Sequence, residues 1–472
     1  MKKIAFVLSE PRLHEQFSIM SLSASLKRSG HATSLVYFQD DPLNRRKILD
    51  ALEKDSPDIV ALSFMSTDKD HYLSLARAIK DRMRVTLLAG GPGVTFDARL
   101  QSAQDSPFDA LCLGEGDRAF VDFVNGSGRN NFITPGSGEP PELLDLIDPM
   151  DQLPFADRGI VYDRDDFLRN SKIKMFISGR GCPYLCTYCF NHKFNEMYRG
   201  RGRVIRHKSV DYFLEEIRQV MSDYPMEGII FEDDIFIIDK PWFSEFCEKY
   251  PGRIGLPYTC YVRPNLVTQE TARLLKVSGC YSARVAIECG NAGLRNKVLK
   301  RYLYDSQILN ACRMLREQGI KVGTINILGL PTETVDHLEE TLALNIACRP
   351  DHVSANLFMP IPGVELTDYA RRLGLLDEDS KVQKSTHTAG DLKYPLQVQK
   401  VLYPFKALFP VLVEVPCLRK IRGPLEKLPL AFLKLIEKTF RLLSHACFYP
   451  PCHLSLADKW RAVRRYALLN SR

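Results

Sequence analysis

Cys182, Cys186 and Cys189 stand in the run Gly179-Arg180-Gly181-Cys182-Pro183-Tyr184-Leu185-Cys186-Thr187-Tyr188-Cys189, with three and then two residues between them. A loop with this spacing can turn three thiolates toward one point. A cubane iron–sulfur cluster has four irons, so three thiolates leave one iron open to a substrate or cofactor, whereas an electron-transfer cluster normally takes a fourth cysteine. The competing reading is a tetrahedral zinc site closed by His192. Zinc fingers usually split their ligands between two separated elements, and here every candidate crowds one loop. Of the thirteen cysteines, those at 112, 247, 260, 280, 289, 312 and 348 read as small buried fillers. Cys417, Cys447 and Cys452 are spaced too loosely to define an auxiliary cluster. An odd total in a chain long enough to bury its own core argues for free thiols in a reducing compartment rather than a disulfide set.

Carboxylates and an arginine recur where apolar runs end. Glu232, Asp233 and Asp234 follow GIIF, Arg263 follows TCYV, and Glu288-Cys289-Gly290 follows RVAI. Gly329 opens the turn Gly329-Leu330-Pro331-Thr332-Glu333-Thr334. An arginine there can meet a carboxylate bidentately; an acid cluster also suits a helix N-terminus. In the first 128 residues the run ends carry Ser63, Met65 and Thr67, then Gly90-Gly91-Pro92-Gly93, then Gly114-Glu115-Gly116. Glycines there let a backbone approach a ligand, or make the turns tight.

The elements that must position these groups follow from periodicity. IAFVL, HATSLVYF, DIVALSF, VTLLAG and ALCLG are short apolar runs separated by amphipathic stretches. They predict a doubly wound parallel sheet over 1–128, whose ligands sit at the carboxyl ends of the strands. Residues 129–170 carry Pro135, Pro140, Pro141, Pro149 and Pro154 with little periodicity and read as a linker. KMFISG, GIIFEDD, YTCYV, ARVAIE, VGTINILG and HVSANLF, each followed by a helical pattern, predict a complete or partial parallel barrel over 171–377, with its chemistry at the strands' carboxyl ends. Residues 378–472 turn to proline-broken apolar and basic segments, read as mainly helical.

Charge sets this last region apart. The chain of 472 residues has a formal charge of +7, but residues 381–472 hold 17 Lys and Arg against 5 Asp and Glu, a local +12 that leaves −5 for the rest. That is not the balance of a uniformly basic nucleic-acid binder, and the basic residues interleave with aliphatics rather than stacking aromatics. The region reads either as a cap packed on the barrel mouth or as a surface for an anionic membrane or an apolar, negatively charged substrate. Leu430, Phe432, Leu433, Leu435, Ile436, Phe440 and Leu443 would supply its apolar face. No run approaches the roughly 18 apolar residues of a spanning helix, and MKKIAFVLSEPRLHE turns polar too soon for a signal peptide, so a cytoplasmic protein is expected.

The CxxxCxxC loop after the first barrel strand resembles that of the radical S-adenosylmethionine (SAM) superfamily, with Tyr188 at the usual aromatic position before the third cysteine. The resemblance implies that Cys182, Cys186 and Cys189 hold a 4Fe–4S cluster whose unique iron is chelated by SAM, and that reductive cleavage yields a 5′-deoxyadenosyl radical. It places Glu232 and Asp233 at the SAM amino group, Arg263 near a carboxylate, Glu288 at the ribose and Gly329 at the adenine-side turn. A sheet domain with GG and GEG turns ahead of such a barrel resembles the cobalamin-binding branch of the superfamily, over roughly residues 1–375. Ser63, Met65 and Thr67 would then line the corrin side, and Gly90, Gly91 and Gly114 would admit the cobalamin tail. The Asp-x-His-x-x-Gly signature of methionine-synthase-type domains is absent, since His71 follows Asp70 directly and Ser74 stands where glycine is needed.

The architecture thus implied is an N-terminal Rossmann-like domain, a partial (β/α)6 radical SAM barrel and a helical C-terminal region. The implied activity is C-methylation of an unactivated carbon on a hydrophobic or anionic, lipid-like small molecule. A radical cyclase, ring-contracting or rearranging enzyme is the alternative, and a non-enzymatic electron or cobalamin carrier the remote one. A flavodoxin or ferredoxin would serve as external low-potential reductant, and a peripheral contact at the inner face of the membrane is compatible with the basic tail. No residue is assigned to proton transfer.

Overall fold

The computed structural model describes residues 1–9, 15–138, 141–377, 392–443, 451–452 and 455–470. The chain divides into two units, one of residues 1–170, 193–206 and 361–363, the other of 171–192, 207–360 and 364–472. The strands of the first are β1 (Lys3–Val7), β2 (Ala32–Val36), β3 (Ile59–Ser63), β4 (Thr86–Gly90), β5 (Ala110–Cys112) and β6 (Phe132–Ile133), in the order β2-β1-β3-β4-β5-β6. The five expected strands are parallel and β6 joins antiparallel to β5. Val60, Leu62, Leu87, Ala89 and Leu111 are buried together with Leu52, Leu75 and Ile79 of the flanking helices. Burial on both faces is why these strands read as continuous apolar runs. The order reverses between β1 and β3, which puts the ligand crevice of such a sheet at their carboxyl ends.

The stretch 129–170, expected as a linker, packs as part of this unit. Leu143, Leu146, Ile147, Met150 and Leu153 are buried, Tyr162 Oη donates to Glu15 Oε1 at 2.6 Å, and Arg158 lies 3.2 Å from the same oxygen. Prolines suppress periodicity there without preventing an extended segment from burying its leucines one by one.

The second unit contains β7 (Ile173–Phe176), β8 (Gly228–Phe231), β9 (Tyr258–Val262), β10 (Cys280–Glu288), β11 (Lys321–Leu328) and β12 (His352–Leu357). They pair in parallel in the unbroken order β12-β11-β10-β9-β8-β7, the expected partial barrel. Alternation along β10 fixes the faces: Ala283, Val285 and Ile287 join the core with the crossover helices, leaving Ser282, Arg284, Ala286 and Glu288 for the other face. The crossovers Val210–Asp223, Lys240–Arg253 and Gln269–Val277 begin at Ser209, Asp239 and Thr268, whose side chains accept from the backbone N–H three residues on. Such caps are each worth about 1 kcal/mol.

The C-terminal region is helical as expected, but its helices differ in role. Helix Leu396–Glu414 buries Leu402, Phe405, Leu408 and Leu412 with Val353 and Leu357 of β12 and Leu338 and Leu342 of the preceding crossover helix. It therefore belongs to the wall of the half-barrel. Helix Leu430–Leu443 lays Leu433 and Ile436 on it, and the buried Lys406–Glu437 ion pair, with Tyr403 Oη donating to Glu437 at 3.0 Å, fixes that contact. Leu430, Phe432 and Leu435 remain 55%, 53% and 57% exposed. The side chain of Leu443 and all of Cys447 lie outside the described residues. Among those described, no helix is long and apolar enough to cross a membrane.

Candidate active site at the half-barrel strand ends

The cysteine loop leaves β7 through Ser178 and Gly179, and one carboxylate holds this exit. Asp233, just past β8, accepts from Ser178 N (3.1 Å), Ser178 Oγ (2.6 Å) and Gly179 N (2.8 Å), and burial pushes its pKa up to about 6. The resemblance places Asp233 at a ligand amino group; in this structure its oxygens accept from Ser178 and Gly179 of the loop. The charge of its neighbour Asp234 bears on the thiols of Cys182 and Cys189, raising both. Asp234 is thus the carboxylate of the trio whose charge bears on Cys182 and Cys189. Gly181 at φ +100° turns the chain, and Thr187 pins the loop through Thr187 Oγ1 to Val298 O (2.8 Å) and Thr187 N to Leu299 O (3.2 Å).

None of the three is in a disulfide; Cys186 is buried and the others half-buried. Burial, opposed too weakly by backbone N–H donors at Tyr184 and Asn191, pushes Cys182 up to about 11 and Cys189 up to about 12. Thiolates at such a site need a resident cation, and metal coordination deprotonates a thiol outright. Among the described residues no three Cys, His, Asp or Glu side chains converge as ligands of one ion do. Thiolates on separate irons of a cluster need no such convergence. His192 turns Nδ1 to Cys189 O at 2.6 Å.

Two guanidiniums lie against Cys186. Arg263 Nη1 is 4.0 Å and Arg301 Nη1 3.9 Å from its Sγ, both side chains are buried, and the Nε of each has no hydrogen-bond partner. Arg263 stacks on Tyr184, its Cζ 3.6 Å from the ring centre, and its Nη2 donates to Arg301 O. Burial and the Arg301 charge lower its pKa. A donor set of three sulfurs beside buried, partly orphaned cationic donors fits an anionic thiolate-bound cluster.

Tyr188 Oη donates to Glu288 Oε1 at 3.1 Å and accepts from Arg301 Nη1. Glu288 is buried, which raises its pKa against the pull of Arg301 3.8 Å away, and it holds φ +67° at a register shift in β10. A left-handed non-glycine residue at a strand end is strain of the kind functional sites retain. Gly329, at φ +75°, donates to Glu333 Oε2, and its carbonyl accepts from Tyr394 Oη at 2.6 Å. A Cβ at Gly329 would lie 2.7 Å from that hydroxyl, so the turn is covered by the C-terminal region. Burial pushes Glu333 up to about 8.

Nearer the strands' amino ends, Arg284, Lys321, Gly323, His352 and Ser354 line a pocket. Arg284 donates to Tyr261 Oη and stands 4.0 Å from Glu232, whose pKa burial raises. Burial beside Arg284 pushes His352 down to about 4, so its ring is neutral at pH 7. Glu232 thus lies beside this pocket's arginine.

In the first unit, Gly91 (φ +91°) and Gly93 press on the Ser63–Met65 turn. A Cβ on Gly91 would lie 2.9 Å from Ser63 Oγ, and one on Gly93 would lie 2.7 Å from the carbonyl carbon of Met65. A Cβ on Gly90 would make ordinary contact with Cys112 at 3.6 Å. Thr67 Oγ1 donates to Asp68 Oδ2 at 3.1 Å. Gly114 (φ +74°) is packed by Tyr198, whose hydroxyl accepts from Glu115 N and Asn131 Nδ2, both at 2.8 Å. Arg206, fully buried, pairs bidentately with Glu115 at 2.6 and 3.1 Å. At the sheet's switch point Ser9 Oγ meets His71 Nε2 at 2.7 Å and Ser9 N donates to Tyr72 Oη at 3.1 Å.

Arg301, Tyr198, Arg206 and Tyr394 carry no local sequence signal. Asp234 was visible only as a member of its trio.

Residues 176–344 match the model of the radical SAM superfamily, and residues 7–124 that of the B12 binding domain. An uncharacterised methyltransferase of Pyrococcus horikoshii is 24% identical over 368 residues, 75% of this chain and 78% of that protein. The anaerobic magnesium-protoporphyrin IX monomethyl ester cyclase of Cereibacter sphaeroides is 25% identical over 74% of this chain, which spans only 61% of the cyclase. The fold is similar to that of the radical SAM methyltransferase TsrM from Kitasatospora setae, solved with cobalamin and a 4Fe–4S cluster, with a TM-score of 0.64 at 14% identity over 79% of this chain and 75% of that one. The cobalamin-dependent SAM radical enzyme OxsB gives 0.69 at 16% identity over 100% of this chain and 75% of its own.

Proposed function

Because the chain carries a B12-binding domain followed by a radical SAM domain, we propose that it is a cobalamin-dependent radical SAM enzyme that methylates an unactivated carbon of a hydrophobic or anionic, lipid-like small molecule. The single observation that carries the reading is the cysteine loop at the half-barrel strand ends, with two buried guanidiniums on Cys186 and the Tyr188–Glu288 pair beside it. When bound, the 4Fe–4S cluster and SAM supply one-electron cleavage, and cobalamin supplies methyl carriage.

The protein's share is positioning and exclusion of water. Cys182, Cys186 and Cys189 hold the cluster and Asp233 holds their loop. Asp234 offers a carboxylate to the SAM amino group beside Glu232 and Asp233, the sequence-based candidates. Glu288, set by Tyr188 and Arg301, takes the ribose, and the Gly329 turn closed by Tyr394 takes the adenine side. Arg263 is within reach of a carboxylate. Ser63, Met65, Thr67, Gly90, Gly91 and Gly114 form the strand-end surface offered to cobalamin. The domain limits 1–128, 171–377 and 378–472 serve as the working division, with 129–170 assigned to the first unit.

Two features support the substrate class. Arg284, Lys321 and the neutral His352 give the barrel pocket donors for an anionic group. Exposed Leu430, Phe432 and Leu435, beside exposed Lys434 and Lys438, offer a shallow, salt-sensitive contact with an anionic surface. A cytoplasmic enzyme drawing electrons from a flavodoxin or ferredoxin and visiting the inner membrane face fits both.

The cyclase relative favours a second reading, cyclisation or rearrangement without methyl transfer. Product analysis of the anaerobically reconstituted protein with SAM decides. 5′-Deoxyadenosine together with S-adenosylhomocysteine supports methylation, deoxyadenosine alone supports the second reading, and neither product overturns both.

A further inference from the structure

We propose that Arg301 and Arg263 are positioning residues for the electronics of the cluster: as buried N–H···S donors to Cys186 they raise its reduction potential. This rests on the cluster assignment above and concerns a property that assignment leaves open.

Four observations carry it. The two guanidiniums reach the same sulfur from different elements, Arg263 from the end of β9 and Arg301 from the loop after β10, at 4.0 and 3.9 Å. Their charge is in excess: among the described residues the carboxylate paired with them is Glu288, 3.8 Å from Arg301, so two buried cations face one carboxylate there. Both Nε atoms are buried without a partner, so the site holds donor capacity that its own residues do not use. The backbone is bent to place Arg301, since Lys300 and Tyr302 on either side are both left-handed, at φ +52° and +51°, and Tyr302 is 66% exposed. A loop that strains two flanking residues, while one of them buries little, is organised around the residue between them. Arg301 is then locked by Nη1 on Tyr188 Oη, Nη2 on Ala286 O at 2.6 Å, and its own carbonyl under Arg263.

The electrostatics give the direction. One electron from an external low-potential donor takes the cluster from the 2+ to the 1+ core; no thiolate leaves and no proton is required. The added negative charge spreads over the sulfurs, and hydrogen bonds to those sulfurs set the potential. Two fixed cationic donors in a desolvated site stabilise the reduced form more than the oxidised one. The cluster is therefore easier to reduce than one with uncharged neighbours. The competing role is that both arginines serve only the carboxylate of SAM.

The test is EPR-monitored redox titration of the reconstituted full-length protein without SAM. For Arg301→Gln we expect the equilibrium constant for reduction to fall about tenfold, a shift of about 59 mV to more negative potential for one electron. Arg263→Gln should shift it in the same direction, and Arg301→Lys, which keeps the charge, should recover part of the loss. Potentials equal to wild type in both Gln variants, with iron content intact, overturn the proposal and leave the arginines to SAM. Loss of the cluster from all three variants also overturns it, by assigning the arginines to holding the loop. A wild-type protein that takes up no cluster defeats the functional assignment itself, an outcome distinct from either.

Discussion

The carboxyl ends of the two parallel sheets carry similar sequence, glycines and acids after apolar runs, yet they are built in opposite ways. In the first unit the turns close on one another by packing: Gly91 and Gly93 admit the Ser63–Met65 turn, Tyr198 fills the space beside Gly114, and Arg206 closes on Glu115, although Ser66 Oγ and Arg206 Nε stay without partners. In the half-barrel the ends keep unsatisfied and strained groups, namely the orphan Nε atoms of Arg263 and Arg301, the unpartnered Oε1 of Glu333, and Glu288, Lys300 and Tyr302 at positive φ. A surface that holds a ligand by shape can be closed mostly by its own packing. One that must act on a charge it does not contain keeps donors in reserve and carries strain to aim them.

The contrast is broken most completely at the cysteines. A triple change of Cys182, Cys186 and Cys189 to Ala should take the reconstituted protein from about four irons to none, by iron assay and visible absorption. One equivalent of zinc in the unchanged protein, with no visible absorption, would sink the cluster reading. Next, Glu288→Ala should weaken SAM binding by roughly tenfold to a hundredfold with the cluster intact, since a charged hydrogen bond to ribose hydroxyls is worth roughly 1.5–3 kcal/mol. An unchanged Kd by calorimetry would leave Glu288 a residue of the Tyr188–Arg301 network alone.

On the other side, Gly93→Ala should destabilise the chain by about 1–3 kcal/mol, the usual range for overpacking against backbone. Retention of hydroxocobalamin should fall with it. A wild-type melting curve would mean that these turns are looser than their contacts imply. Glu333→Gln sharpens the comparison through pH. Because burial raises the folded-state pKa of Glu333 to about 8, its stabilising protonated form is fully present below about pH 4.5 and lost as pH rises through 8. Gln does not titrate, so the variant's melting temperature should gain on wild type progressively from pH 5 to above 8. A constant offset would mean that Glu333 is paired. The smallest effect is expected at the exposed leucines: changing Leu430, Phe432 and Leu435 to Ser should reduce low-salt co-sedimentation with anionic liposomes, and high salt should abolish it for both proteins. No low-salt binding by the unchanged protein would remove the membrane contact.

Every one of the eleven apolar runs named from the sequence became a strand, because buried parallel strands advertise themselves as unbroken β-branched and aliphatic stretches. Strand β6 and the packing of 129–170 stayed hidden, since two residues of strand and a proline-rich extended segment leave no period to read. At the site, spacing exposed the three cysteines, and the family resemblance singled out Tyr188 and Glu288. Asp233 was legible as an acid at a strand end, but its commitment to Ser178 and Gly179 was not, because its partners lie 54 and 55 residues earlier.

By itself, then, the sequence determined what is local: the three-thiol loop, the two sheets with their strand ends, and the basic apolar tail. Tertiary structure alone decided which of three adjacent carboxylates acts by its charge on Cys182 and Cys189, that Arg301 comes to lie on Cys186 from 115 residues away, and that helix Leu396–Glu414 is wall while one face of Leu430–Leu443 stays open. The division is physical. Periodicity and spacing are properties of consecutive residues, whereas burial, charge balance and backbone strain arise only when distant segments compete for the same volume.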